Sequence, residues 1–497
     1  MEVIFKELNI HRIGGGCVSQ ALIEGSIPVI KDRTAASVID ASAAVRLQNT
    51  EISAGKVNID GTVQVHIIAL DTDDSVFSFS SSAPFKHSIA IDSARPGMEA
   101  SVIAELQSVE LSAEGDSLKL TAVSELSLRL KDNTPLRVVK GMNGVSELEI
   151  KTMKLDYREN KCILKEKVRI LEEIGVSSIT SVLAVDGEAV VRSIRTRGDA
   201  VTVEGTLSVS AMCADGKERL SQFVQHVEFS EELEFDGRAE AVFGRVAVEE
   251  IELRPMDAEL GIAVVEALMR IELFSESVAA EELPLDAFSP SAALMPKITA
   301  VPLLLPKGML SVKSSLRETI DVPEGMPDIY RPVYASARPM VTSSVCGEGR
   351  LNIDGMLFTR LVYASENGSL FSFTEDIPFM LSQPLSGDMG SGGAADAEVR
   401  LRVLTTVGGG GGRAADVGYL MFIDAELFEP CMVEAVTGIA ECEPVESPKG
   451  IVICFASEGE ELYDIAKRLN VSRAALTELN PELENGIRGG ERIVVMV

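Results

Sequence analysis

Three stretches decide how this chain is read: Gly55-Lys-Val-Asn-Ile-Asp-Gly61, Asp199-Ala-Val-Thr-Val-Glu-Gly205 and Gly349-Arg-Leu-Asn-Ile-Asp-Gly355. In each, apolar and polar residues alternate up to a carboxylate and a glycine. The chain runs on as Thr62 to Leu70, Thr206 to Ala211 and Met356 to Tyr363. A phenylalanine stands 24 residues after the glycine every time, at Phe85, Phe229 and Phe379, with a proline before it in the first and third cases (Pro84, Pro378). A last alternating run ends at Leu130, Phe274 and Phe428, which is 69, 69 and 73 residues after the glycine. The pitch between glycines is 144 and then 150 residues. Spacing kept over such distances marks a unit present three times.

The period inside the units is two. Leu118, Leu120, Leu126, Leu128 and Leu130 alternate with polar residues, as do Val201, Val203 and Leu207. Alternation bounded by Gly, Asp and Asn predicts half-buried antiparallel strands. The fold class expected is mainly β: three sandwich or barrel-like modules at residues 1–135, 150–284 and 308–435. The repeated glycine is expected at a bulge or close backbone approach, and the phenylalanine in the core, both as structural features. Extra glycine in the third unit, at 387–393 and 408–412, reads as insertion where the first has its turn Ala113-Glu-Gly-Asp116. Residues 131–160 read as a linker. Residues 285–310, broken by Pro290, Pro296, Pro302 and Pro306, read as a linker or edge segment, and residues 441–450 as a stiff spacer.

The period changes after residue 450. Ile451 to Ala456 reads as a strand, and Leu462, Ile465, Ala466 and Leu469 share one helical face. Ser472 caps a second helix that Asn480-Pro481 stops, and Ile493 to Met496 closes as a strand. Residues 450–497 are thus expected as a small βααβ unit. Gly459, Leu462, Tyr463, Ile465, Ala466, Leu476, Leu479, Asn480 and Gly490 fall where the LysM family has its characteristic residues, and the segment resembles that family. The resemblance implies a binding groove at Glu458, Gly459, Glu460, Glu461, Leu462, Tyr463 and Asn480. LysM domains bind N-acetylglucosamine glycans, but Glu460-Glu461 replaces the family's Asp-Thr. The bulkier, more acidic loop favours a protein partner, with a peptidoglycan- or chitin-type glycan as the alternative. Tyr463 is the residue favoured for the contact, an aromatic with a polar tip.

The repeated unit, the motif Val322-Pro-Glu-Gly-Met-Pro-Asp-Ile329 and the LysM-like end together resemble the SPOCS-domain, SipL-like family of endospore coat-assembly proteins. That resemblance implies a non-enzymatic adaptor in the mother-cell cytoplasm at the forespore surface. Its implied partner is the coat morphogenetic ATPase (SpoIVA-like), bound through LysM.

The charge and motif content agree with a scaffold. The chain has 497 residues and a formal charge of −30, which disfavours nucleic acid and anionic membrane surfaces. No apolar run is long enough for membrane insertion, and the first sixteen residues lack the apolar core of a signal peptide. Seven scattered cysteines without CxxC and four scattered histidines offer no disulfide framework, metal site or cofactor motif. Asp71, Asp73 and Asp74 read as a hairpin turn, and Gly14-Gly-Gly16 lacks the Lys-Ser/Thr of a phosphate loop. His11 and Cys17 lie close in sequence without an evident third partner.

Overall fold

The structure is a computed structural model. It describes all residues except 1, 9–11, 32, 74, 115–116, 133, 177–178, 218, 235–241, 258–259, 386–392, 409–411, 444–449, 486 and 497. His11, Asp74, most of both glycine runs, the tip of the Ala113-to-Asp116 turn and most of the 441–450 spacer therefore lie outside the described residues.

The chain is mainly β, in several antiparallel sheets. β1 (Glu2–Leu8) is followed by β2 (Arg12–Pro28), β3 (Ser37–Ser53), β4 (Lys56–Leu70), β5 (Val76–Ala90), β6 (Glu99–Glu114), β7 (Ser117–Asp132) and β8 (Leu136–Asn143). Next come β9 (Glu149–Gly175), β10 (Ile179–Arg197), β11 (Ala200–Asp215), β12 (Leu220–Glu234), β13 (Val242–Asp257) and β14 (Ile262–Phe288). Then follow β15 (Leu294–Asp321), β16 (Arg331–Gly347), β17 (Arg350–Ala364), β18 (Leu370–Pro384), β19 (Gly393–Gly408) and β20 (Ala414–Glu441). The C-terminal part has β21 (Ile451–Phe455), α1 (Leu462–Leu469), α2 (Arg473–Leu479), a short 3-10 turn and β22 (Arg492–Met496).

One pairing pattern recurs. β3-β4-β5 and β10-β11-β12 each form a three-stranded sheet, and β16-β17-β18 repeat the pattern at one end of a nine-stranded sheet, where β16 pairs with β19 at Val345 and Cys346. The second trio of each set is β6-β7-β2, β13-β14-β9 and β19-β20-β15, the first and third lying within the nine-stranded sheet and joined at Leu303. Alternating residues from both trios fill one core per set, around Val63 and Leu126, Leu207 and Ile271, and Leu357 and Tyr419.

The strand register explains the repeated glycine. Gly61 pairs across the ladder with Phe85, Gly205 with Phe229, and Gly355 with Phe379. On the other side, each glycine faces a strand whose register shifts at that point: between Leu47 and Asn49, Val191 and Ser193, and Val341 and Ser343. The bulge pushes a carbonyl towards the glycine, and the buried phenylalanine ring lies against it from the opposite strand. A Cβ at Gly205 would sit 2.3 Å from the Phe229 ring and 2.4 Å from the Val190 oxygen. At Gly355 the distances are 2.4 Å to Phe379 and 2.3 Å to the Met340 oxygen. Only glycine leaves room for both neighbours.

The stretch expected as a linker, 131–160, is largely strand, and so is 285–310, expected as a linker or edge segment. β8 occupies the middle of 131–160, and β15 runs unbroken through 294–321. β1 pairs with β8, the first half of β9 with the last half of β14, and the first half of β15 with the last half of β20. These three ribbons pack together through Leu8, Leu136, Leu155, Leu283, Leu303 and Val433 into a core of their own. The prolines that disguised β15 are tolerated because one of its edges is almost free. It pairs along its length with β20 but with β2 only at Leu303, and a strand needs its N–H groups only on the paired side.

The Pro-Glu-Gly-Met-Pro-Asp segment closes one end of the third core. Arg413 donates to the carbonyls of Val322, Pro323 and Met326 and to the Asp328 carboxylate, at 2.9–3.1 Å. The Tyr363 hydroxyl donates to the Pro327 carbonyl at 2.7 Å, and Ile329 is fully buried beneath. At the β4–β5 turn, Asp71 and Asp73 accept from the backbone N–H groups of Thr72 and Ser75, an ordinary Asx arrangement.

Candidate functional site

The residues expected to bind a partner begin at the turn before α1. Glu458, Gly459 and Glu461 are exposed, and Glu460 and Leu462 are half-buried. Gly459 takes φ +77°, so it makes the turn without strain. Glu460 folds back, accepting from Ser457 N at 2.8 Å and pairing with Arg468 at 2.9 Å. Asn480 is 2% exposed. Its amide donates to the Leu476 and Val494 carbonyls and accepts from Val494 N, at 2.7–2.8 Å, tying α2 to β22. All its visible bonds are internal.

Tyr463 is 3% exposed. Its ring meets Phe288, the last residue of β14, edge-on at 5.3 Å between centroids. Lys151 and Arg473 flank the same ring at 5.8 and 6.0 Å. Phe288 is thus part of the C-terminal core with Ile465, Leu476 and Ile493, although it belongs to the second unit's ribbon. Ion pairs ring the contact: Lys151 with Asp464 at 3.0 Å and Glu461 at 3.1 Å, Lys467 with Asp286, and Arg473 with Glu149. Burial opposes the charge on Lys151, but the hydrogen bonds it donates to Asp464 and Glu461 outweigh it and its pKa rises. Burial, with Asp286 nearby, pushes the Tyr463 hydroxyl upward. The structure therefore brings Glu461, Leu462 and Tyr463 together on the side of this unit that rests on the rest of the chain. Glu458 and Gly459 face solvent, and Asn480 is internal. Sequence reasoning missed Glu149, Lys151, Asp286 and Phe288, which lie where linkers were expected. The one available signal was a lone phenylalanine at the end of an alternating run.

A second set of contacts joins the three repeated units. Ile68, Met212 and Val362 each lie seven residues after their glycine, and all three meet in one apolar cluster. Val76, Leu220 and Leu370, fifteen residues after, join them. Around this equivalent core the polar residues differ. Arg360 occupies the position of His66 and Ser210, and Asp40 that of Ala184 and Tyr334. Arg360 pairs with Asp40 at 3.1 Å, with both side chains nearly buried, across the first and third units. Burial pushes the Asp40 carboxyl up despite that arginine. His66 Nε2 lies 2.6 Å from the Leu183 carbonyl, and burial lowers the ring's pKa. Arg331 donates to the Leu220 carbonyl at 2.7 Å, and Arg400 to Glu188 at 2.7 Å, joining the second and third units.

Glu105 on β6 belongs to this junction and carries a pH signature. It stands directly across from Glu125 on β7. Burial first, and Glu125 second, push its carboxyl up to about 7, against the attraction of Arg338. The folded state then holds a proton that the unfolded chain has released, so stability falls as pH rises from about 4.5 through about 7. Glu105→Gln is expected to flatten that fall and stabilise the protein by about 1–2 kcal/mol near pH 8, since the site is partly solvated. Melting curves of both proteins across pH 5–8 check it, and parallel curves would refute it.

Residues 34–114 match the model of the SipL, SPOCS domain family. The SPOCS match covers β3 through β6 and includes the bulge at Leu47 and Asn49, Gly61 and Phe85. No curated protein and no solved structure gives a significant match to the chain. No helix among the described residues is long and apolar enough to cross a membrane. Among the described residues no cluster of three metal-ligating side chains occurs, and no disulfide joins the cysteines. His87 and His226 meet only Ser19 and Ser208 among the described hydrogen bonds.

Proposed function

We propose that this protein is a non-enzymatic adaptor of the bacterial spore coat, active in the mother-cell cytoplasm at the forespore surface. The observation that carries the reading is the SPOCS match at residues 34–114. Two features support extending it to the whole chain. The pairing pattern of the matched strands returns in β10–β13 and β16–β19, each time with the glycine, bulge and phenylalanine in register. The C-terminal part follows the strand–helix–helix–strand order of a LysM domain. In this reading the LysM-like unit takes a coat morphogenetic ATPase, and the acidic turn, with Glu458 and Glu461 exposed, is its first point of contact. An acidic turn favours a basic protein surface over a neutral sugar.

Calorimetric titration of the full chain tests it, with the coat ATPase of the same organism in one syringe and N-acetylglucosamine oligomers in another. Saturable binding to the ATPase is expected, lost in a chain ending at residue 443 and weakened about tenfold by Glu458→Lys with Glu461→Lys. Binding to the sugar alone would replace this reading with a glycan-binding one. Tyr463→Ala is a poor probe of contact. It empties a core position and is expected to cost the C-terminal unit about 3 kcal/mol whatever the partner does.

A further inference from the structure

Between the three repeated units lies a cavity of about 1340 Å³. All three units line it, and its walls are rich in donors: the hydroxyls of Ser42, Ser80, Ser208, Ser210 and Ser336, and four guanidinium groups of the third unit. Two of those arginines are neutralised. Arg360 is paired with Asp40, and Arg400 with Glu188 and Asp424. The other two are only partly balanced, Arg338 by the nearby Glu105 and Arg402 by the nearby Glu188. Arg338 donates to the Leu106 carbonyl at 2.6 Å and lies over the Phe358 ring, and Arg402 donates to Ser208 Oγ. Neither forms an ion pair among the described residues, and the Nε of Arg402 is buried with no hydrogen-bond partner.

A guanidinium held away from bulk water without an anion is costly, and a fold that keeps two at one cavity has left a place for negative charge. The acids on the wall do not fill it. Glu188 is paired with Arg400, and burial drives the carboxyls of Asp186 and of Glu105, beside Arg338, towards their neutral forms; Glu110 and Asp376 form no ion pair with either arginine among the described residues. We propose that this cavity binds a small oxyanion, a phosphate- or carboxylate-bearing molecule, anchored by Arg338 and Arg402 with the wall serines donating to its remaining oxygens. Planar forks beside hydroxyl groups suit oxyanions better than neutral or cationic ligands. Because Ser42 and Ser80 come from the first unit, Ser208 and Ser210 from the second and the arginines from the third, the ligand touches all three. Its binding stabilises their closed arrangement.

The test is calorimetry of the full chain against pyrophosphate and, separately, citrate, at constant ionic strength with chloride as reference. The two arms decide between phosphate and carboxylate as the preferred group. One-site binding of at least one is expected. Arg338→Gln with Arg402→Gln should weaken it at least tenfold, and Arg350→Gln, at the start of β17 outside the cavity, should leave it unchanged. Arg402→Lys keeps the charge but loses the fork, and a weakening of severalfold is expected there. It decides the matter if the double variant fails to fold by circular dichroism. Absence of saturable binding to either anion at millimolar concentration overturns the proposal. So does unchanged affinity in the double variant, or in Arg402→Lys.

Discussion

Gly355→Ala is expected to destabilise the third unit by about 3 kcal/mol or more. Overpacking of a tight core costs 1–3 kcal/mol when the neighbours can shift. Here one neighbour is a carbonyl of the bulged strand, 2.3 Å from the added methyl, and the other is the ring of Phe379, itself buried. Neither can withdraw without breaking a ladder or emptying the core. In a unit of this size the loss corresponds to a fall of roughly 6–12 °C in its melting. Gly205→Ala should behave the same way in the second unit, and Gly61→Ala more mildly, since its contacts begin at 2.7 Å. Gly347→Ala, in the same strand system but with nothing within 4 Å, is the matched control and should change little. Calorimetric scans of the four variants check the series. Equal melting for Gly347→Ala and Gly355→Ala would show that the glycine is not held by its neighbours.

The second large effect is expected at Phe288. Phe288→Ala removes the one aromatic that the second unit's ribbon lends to the C-terminal core. The side chain is 6% exposed, and its loss should cost about 3–4 kcal/mol of docking, combining buried area with the edge-on contact to Tyr463. The surrounding ion pairs, mostly part-exposed, contribute at most about 1 kcal/mol each, so they cannot hold the unit alone. Residues 450–496 should then detach while remaining folded. Small-angle scattering would show a longer maximum dimension, and hydrogen exchange would quicken in β9 and β14 near Glu149 and Asp286. Asp286→Asn should leave both readouts nearly unchanged. If Phe288→Ala leaves the scattering curve unaltered, the docking rests on something else. In the adaptor reading, a partner that grips Tyr463 must displace Phe288, so this variant should bind it more tightly. A partner that grips only the acidic turn should not notice.

Much of the strand content was legible in the sequence because half-buried strands write their period into it. The glycine and phenylalanine at constant spacing could be read as structural because a cross-strand pair fixes the distance along the chain between its members. The ribbons were not legible. Pro296, Pro302 and Pro306 signal a break, and only knowledge of which edge of β15 is unpaired shows that they do no harm. The junction was equally hidden. Asp40 with Arg360 and Arg400 with Glu188 are pairs separated by hundreds of residues, at positions where the units differ rather than agree. A search for similarity passes over such positions. The candidate binding residues came from a resemblance, which carries nothing about Phe288 of the same chain packing against Tyr463.

The junction has one more consequence. Units that join through corresponding faces could, as separate molecules, add to one another without limit or close into a ring. Here three are strung on one polypeptide, and each touches the other two through contacts that no longer match: an aspartate where its counterpart has an alanine or a tyrosine, an arginine where its counterparts have a histidine or a serine. The circle is closed within the molecule, and its order is fixed by those differences. A protein built this way spends its own adhesive faces on itself and is prevented from polymerising through them. Any larger assembly would have to grow through other surfaces.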